Sequence, residues 1–325
     1  MKKQIFLFVL LLGSFMTFAQ QQIATLQHGD SISIFYGTDA FIQAHTAADN
    51  GDIITLSSGT FDTCRITKAI TLHGAGALPD SNNLTPTYFN SLMIGVHPSN
   101  DSVSRFEMEG ILVKNLKLLP CMYPKFVRCV FERITTSQYQ NSTLQVNAPQ
   151  FINCIVQNFN NIIGCKDAIF ANSIVYSIYA DRYTTFTHCI VRLSPNNYSH
   201  LNAYNSIISN PSSSTLVFSG GAYLNNIIIS ACGFTYTLNS TNKCYRTINS
   251  VFENWNGKFS YDNTYTLKDS VANGFRGSDG SEVGIYGGFI PFSWKPSYMY
   301  IKKCNVANRS TADGKLSVDI EVVTE

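Results

Sequence analysis

Five side chains near the middle of the chain could act together chemically: Lys166, Asp181, Arg182, His188 and Arg192. They fall within two or three units of a repeat described below, so they could share one face. An arginine or lysine base with a histidine beside it could abstract the proton next to a uronate carboxylate, which is lyase chemistry. The plain alternative is that they are the solvated charges every surface carries. Tyr176, Tyr179 and Tyr183 lie in or beside one unit of the same charge-poor region. Tyrosine has an apolar face and a polar tip, which suits a sugar ring, so these three are candidate glycan-binding residues. The competing role is packing in turns or over the fold.

Other reactions are short of groups. Between Thr135 and Phe252 the only carboxylates are Asp167 and Asp181. Glycoside hydrolysis needs two carboxyl groups about 5–10 Å apart, which this stretch can barely supply. Calcium wants about six to eight oxygen ligands, and the central region offers no carboxylate cluster. Asp279-Gly280-Ser281-Glu282 could hold calcium, but such a sequence is ordinarily a turn, so no cofactor or metal is expected. No Cys-x-x-Cys or His-x-x-x-His pair points to zinc. His73 and His200 are isolated, and nothing resembles a Ser-His-Asp set or a phosphate-cradling loop.

A short phrase organises the same region. It appears as Arg128-Cys129-Val130-Phe131, Asn153-Cys154-Ile155-Val156, Asn172-Ser173-Ile174-Val175, His188-Cys189-Ile190-Val191, Asn205-Ser206-Ile207-Ile208, Asn225-Asn226-Ile227-Ile228 and Asn249-Ser250-Val251-Phe252. Counted at the second residue, the steps are 25, 19, 16, 17, 20 and 24. Self-similarity at this period marks small units that bury a shared core only by stacking. Parallel strands stack identical positions about 4.8 Å apart, so like pairs with like. Asparagine suits the first position because it tolerates a left-handed backbone in a tight turn. Cysteine and serine interchange at the second, which reads as a small buried site. Most of the nine cysteines are therefore expected as free thiols, with bridges such as Cys129–Cys154 or Cys232–Cys244 left open. The third and fourth positions are both aliphatic or aromatic. Either a turn breaks the alternation there or an aliphatic stripe faces outward. The steps of 16 and 17 also leave the register around Cys189 open.

The ends read differently. Lys2, Lys3, the apolar run Ile5 to Leu12 and Thr17-Phe18-Ala19 form a signal peptide over 1–19, too short to span a bilayer. Removing Lys2 and Lys3 takes the formal charge from +2 to 0, which leaves no footprint for nucleic acid or anionic membranes. No later apolar run of about 18 residues suggests a membrane span. Thr38-Asp39 can cap a short helix, Ala40 to Ala48, with Phe41, Ala44 and Ala48 on one side. Short strands follow, then a polar, proline-bearing stretch, Ala77 to Ser104, read as a long loop. Residues 20–255 form the repeat domain. The glycine-rich 256–325, ending in an alternating strand, is read as a region that closes its open end.

Asp39-Ala40-Phe41 through Gly51-Asp52-Ile53-Ile54, then Ser58-Gly59-Thr60-Phe61 and Ile66 through Gly76, resemble the opening of right-handed parallel β-helix proteins of the pectin-lyase-like fold. The repeated phrase resembles their coils. Asp279 to Gly288 with Ala312 to Val318 resembles the tail of uncharacterised exported bacterial members. The resemblance implies an all-β solenoid of about eight to eleven coils with an N-terminal capping helix. It implies little about activity, because the fold carries lyases, hydrolases, adhesins and inert members. The Asp-Asp, Gly-His-Gly and Arg-Ile-Lys motifs of its polygalacturonase-like hydrolases are missing here. The expectation is a secreted, non-catalytic protein that binds polysaccharide or a surface. The alternatives are a uronate lyase built on the five residues named first, and a structural, adhesin-like rod.

Overall fold

The structure is a computed structural model describing residues 22–78, 85–95, 103–136, 145–161, 165–180, 184–193, 198–199, 201–210, 218–219, 221–230, 241–256, 263–293, 300–306 and 318–323. The expected signal peptide lies outside them. The fold is mostly β, with long parallel sheets consistent with a β-solenoid. No described helix is long and apolar enough to cross a membrane.

The chain visits three sheets in turn. Glu107–Glu109 lies in a first sheet, Leu112–Leu118 in a second and Cys121–Met122 in a third; Lys125–Val127 then returns to the first. The first sheet has 11 strands, the second 12 and the third four. Lys125↔Gln150, Gln150↔Ile169, Ile169↔Thr185 and Thr185↔Asn202 pair in parallel, reproducing the sequence steps of 25, 19, 16 and 17. The register around Cys189 therefore does not slip. The third sheet ends at Cys165–Lys166; beyond it the coils continue the first two sheets, and Tyr198–Ser199 pairs in parallel with Phe218–Ser219 as a separate two-stranded sheet. A bulge between Val175 and Ile178 absorbs the change.

The first sheet begins antiparallel, with β1 (Ile23–His28) paired to β2 (Ser31–Tyr36) at its edge. Helix α1 (Ala40–Ala47) packs on β1 and β2 through Phe41 and Ala44, which are fully buried. Asp39 makes no side-chain cap to the helix; its carboxylate accepts from Gln43 Nε2. The opposite end is capped by Lys68, whose Nζ donates to the carbonyls of His45, Thr46 and Ala48, where the helix dipole favours a cation. The stretch read as a loop contains a strand, Thr87–Ile94. Its buried Thr87, Phe89, Leu92 and Ile94 are interrupted by Asn90-Ser91, which hid the alternation.

Two cores result. The inner one lies between the sheets and carries a stack of rings. Phe126, Phe151, Phe170 and Phe186 occupy one column, with centroids 5.0, 4.6 and 5.1 Å apart and near-parallel planes. The outer core lies against the second sheet. Val130, Ile155, Ile174, Ile190, Ile207 and Ile227, the third position of the phrase, face out and are buried under Tyr265, Leu267, Val271, Val283, Ile285 and Phe292. The fourth position, Phe131, Val156, Val175, Val191, Ile208 and Ile228, faces in. Alternation is thus intact, and the outward stripe is covered rather than bare. Residues 265–292 lie along this side of the second sheet. Strands Tyr300–Val306 and Val318–Val323 pair antiparallel with each other.

Candidate functional site

The polar phrase positions form the corner between the first and second sheets. Arg128, Asn153, Asn172, His188, Asn205 and Asn225 all have φ between 45° and 54°. Asparagine tolerates this left-handed backbone best, which explains its recurrence. A hydrogen bond from each amide to the next rung fixes the column: Arg128 N to Ile152 O, Asn153 N to Ala171 O, Asn172 N to Thr187 O and His188 N to Tyr204 O. The second position points inward. Ser173 Oγ donates to Ala171 O and accepts from Cys154 N; Ser206 Oγ does the same for Tyr204 O and Cys189 N. Cys129, Cys154 and Cys189 direct their thiols at the equivalent carbonyls. These thiols are structural. Burial pushes Cys189 up to about 12, so it is protonated and unreactive at neutral pH. Cys129, Cys154 and Cys244 are all free.

The segment 277–292 docks on this corner. Asn172 Nδ2 donates to the carbonyls of Ile285 and Gly287 at 2.9 and 2.7 Å. Asn205 Oδ1 accepts from Ser278 N, and Gly284 N donates to Asn205 O. His188, only 3% exposed, places Nε2 2.8 Å from Asp279 Oδ2. A carboxylate only accepts, so Nε2 carries the proton toward Asp279 and the Asn205 Nδ2 group 3.2 Å away does not donate to it. Burial pushes the Asp279 carboxyl up, but hydrogen bonds from the Ser281 hydroxyl and amide and from His188 outweigh it, and the net shift is downward. Gly287 and Gly288 cover the imidazole so closely that a Cβ on Gly287 would fall 2.5 Å from His188 Nδ1.

Ser281, Asp279 and His188 are the elements of a nucleophilic set in the wrong order. Ser281 Oγ donates to Asp279 Oδ1, so the carboxylate, not the imidazole, sits in the middle. A serine nucleophile needs a base on its own hydroxyl. Here Ser281 also accepts from Gly288 N, and the set orders a turn. Further along the column Arg128 Nη1 bonds Glu109 Oε1 at 3.1 Å in a largely buried pair. Asn153 is fully buried, with neither amide atom hydrogen-bonded. Among the described residues no three His, Cys, Asp or Glu side chains gather as metal ligands would.

No family model, no curated protein and no solved structure matches this chain. Of the five residues that could serve a lyase, Lys166 lies on the third sheet, exposed, 3.9 Å from Asp167. His188 is under the docked segment, and Arg192 is exposed on the second sheet. These three are spread over separate parts of the fold, and Asp181 and Arg182 lie outside the described residues. Tyr176 is buried in the outer core, its hydroxyl 3.5 Å from that of Tyr265. It offers no ring to solvent. Tyr179 belongs to strand Ile174–Ala180, and Tyr183 lies outside the described residues. Sequence reasoning missed Asn205, Ser278 and Asp279 as partners of the His188 corner. The signal available was the run of glycines from Gly274 to Gly288, which has no length or period that names its target.

Proposed function

We propose that this chain is an exported right-handed parallel β-helix of the pectin-lyase-like fold that binds polysaccharide without cutting it. The observation behind this reading is the outer face of the first sheet. Gln150, Ile169, Thr185 and Asn202 stand in one outward row, and Ile152, Ala171, Thr187 and Tyr204 in the next. The face carries no charge over these four strands. It repeats amide, hydroxyl and aliphatic groups at the strand spacing of about 4.8 Å. Such a flat ladder suits a neutral chain of hydroxylated rings, whose faces are apolar and whose edges hydrogen-bond. The separation of Lys166 from the buried His188 supports binding over elimination.

A glycan array probed with the purified protein, beside an ultraviolet assay for unsaturated uronate products, tests the reading. Binding that is lost in Thr185→Arg and Asn202→Arg, with no product formed, is the expected result. Product formation would replace binding with lyase activity. Silence in both assays would leave a structural role.

A further inference from the structure

We propose that β2 is a self-association edge, along which a second copy of this chain pairs antiparallel. β2 is the end strand of the first sheet and pairs with β1; among the described residues no strand pairs with its other edge. Natural sheets guard such edges with charge, proline, bulges or brevity. β2 has none of these. It reads Ser31-Ile32-Ser33-Ile34-Phe35-Tyr36, six residues without charge or proline, in unbroken register with β1. The far ends of the two long sheets are different: Tyr223–Leu224 is two residues long, and Lys243–Tyr245 is three and carries a lysine.

The outward side chains are apolar as well. Ile32, Ile34 and Tyr36 are 67%, 51% and 53% exposed. Ile23, opposite Tyr36 on β1, and Ile53 on the following strand extend the same face and are half-buried. The inner face of β2 is already engaged, through Phe35, with the inner core and α1. An added strand must therefore keep inner face beside inner face. In an antiparallel pair directly opposed residues share a face, so only registers that match odd with odd and even with even qualify.

A second copy meets this condition with its own β2. A two-fold axis through Ile34 sets Ile34 against Ile34, Ile32 against Tyr36 and Ser33 against Phe35. No like charges meet, because the strand has none. The contact is isologous and closes at two copies. Six residues of edge bury well under the roughly 1,600 Å² of a standard interface, so the dimer is weak.

Sedimentation equilibrium of the full protein from about 1 to 300 µM should pass from monomer to dimer across that range. Ile34→Lys should remain monomeric throughout, with the circular dichroism and melting temperature of the parent. In a Cys244→Ser background, Ile34→Cys should form a disulfide-linked dimer with oxidised glutathione, which accepts the two electrons and two protons released. Thr55→Cys, on the third strand of the same face, should not. A monomer at every concentration, or a dimer that survives Ile34→Lys, would overturn the proposal. So would a monomer whose β2 amides resist hydrogen exchange, since another part of the chain would then hold the edge.

Discussion

His188 and Asp279 are 91 residues apart in sequence and 2.8 Å apart in space. Their contact joins the stacked sheets to the segment that covers them. Around it lie the Asn172 and Asn205 hydrogen bonds and the outer core.

Removing that charge should loosen the cover. Asp279→Ala is expected to cost about 1–2 kcal/mol in denaturant unfolding, the range for a charged hydrogen bond that is partly exposed. Asp279 has its carboxyl held below the ordinary value, so its contribution is present above about pH 4 and fades as acid protonates it. The variant should accordingly lose less stability than the parent between pH 5 and 3. Equal acid slopes in the two proteins would contradict the role.

Gly287 is under a tighter constraint. An added Cβ would meet Glu282 O at 1.7 Å and His188 Nδ1 at 2.5 Å, and the first of these is backbone that cannot swing away. Gly287→Ala should destabilise by about 2–4 kcal/mol and open 277–292 to limited proteolysis. Gly280, at φ 79° with open space around its Cβ position, should cost about 1 kcal/mol when changed to alanine.

Asn153 and Asn172, both buried, should respond in opposite ways to glycine. Both hold a left-handed backbone, which glycine also accepts. Asn172→Gly discards two hydrogen bonds to Ile285 and Gly287 and should cost about 1–3 kcal/mol. Asn153→Gly removes an amide that bonds nothing and should be neutral or stabilising in thermal unfolding. A loss at Asn153 as large as at Asn172 would show that its amide is satisfied in solution.

Ile207 and Ile208 test the cover directly. They are neighbours facing opposite cores, 1% and 0% exposed. Alanine at either should cost about 2–5 kcal/mol. Were the outward stripe bare in solution, Ile207→Ala would fall within about 0.5 kcal/mol of the parent.

His45 should set part of the acid sensitivity. Burial first, and then the Lys68 charge, push its imidazole from 6.5 down to about 4. Its Nε2 accepts from Thr67 N, which requires the neutral ring. The unfolded chain therefore binds a proton that the folded chain refuses. Stability is full above about pH 6.5 and falls as the pH drops toward 4. His45→Gln keeps an acceptor but cannot titrate, so its unfolding free energy should vary less over that window.

By itself the sequence determined the repeat, its steps as far as Asn226 and the small buried column; the step of 24 to Ser250 is not a rung, because Lys243 follows Ile227 on the second sheet and Ile248–Ser250 is a short 3-10 helix. These are written locally, because every rung needs the same left-handed corner and the same small residue inside it. Asn153-Cys154-Ile155-Val156 carries that information whatever the rest of the chain does. It also held both aliphatic columns, but not their destinations. Ile155 and Val156 look alike, and only the covering of the second sheet by 263–292 sends one to an outer core and the other to the inner one. Tyr176 shows the same limit: an aromatic in a polar region reads as exposed until Tyr265 is found on top of it. The His188–Asp279 contact had no periodic signature, since it is made once, between a repeat and a segment outside the repeats. Stacking leaves a period in sequence; docking leaves none, because its specificity lies in shape and hydrogen bonds that exist only after both partners have folded.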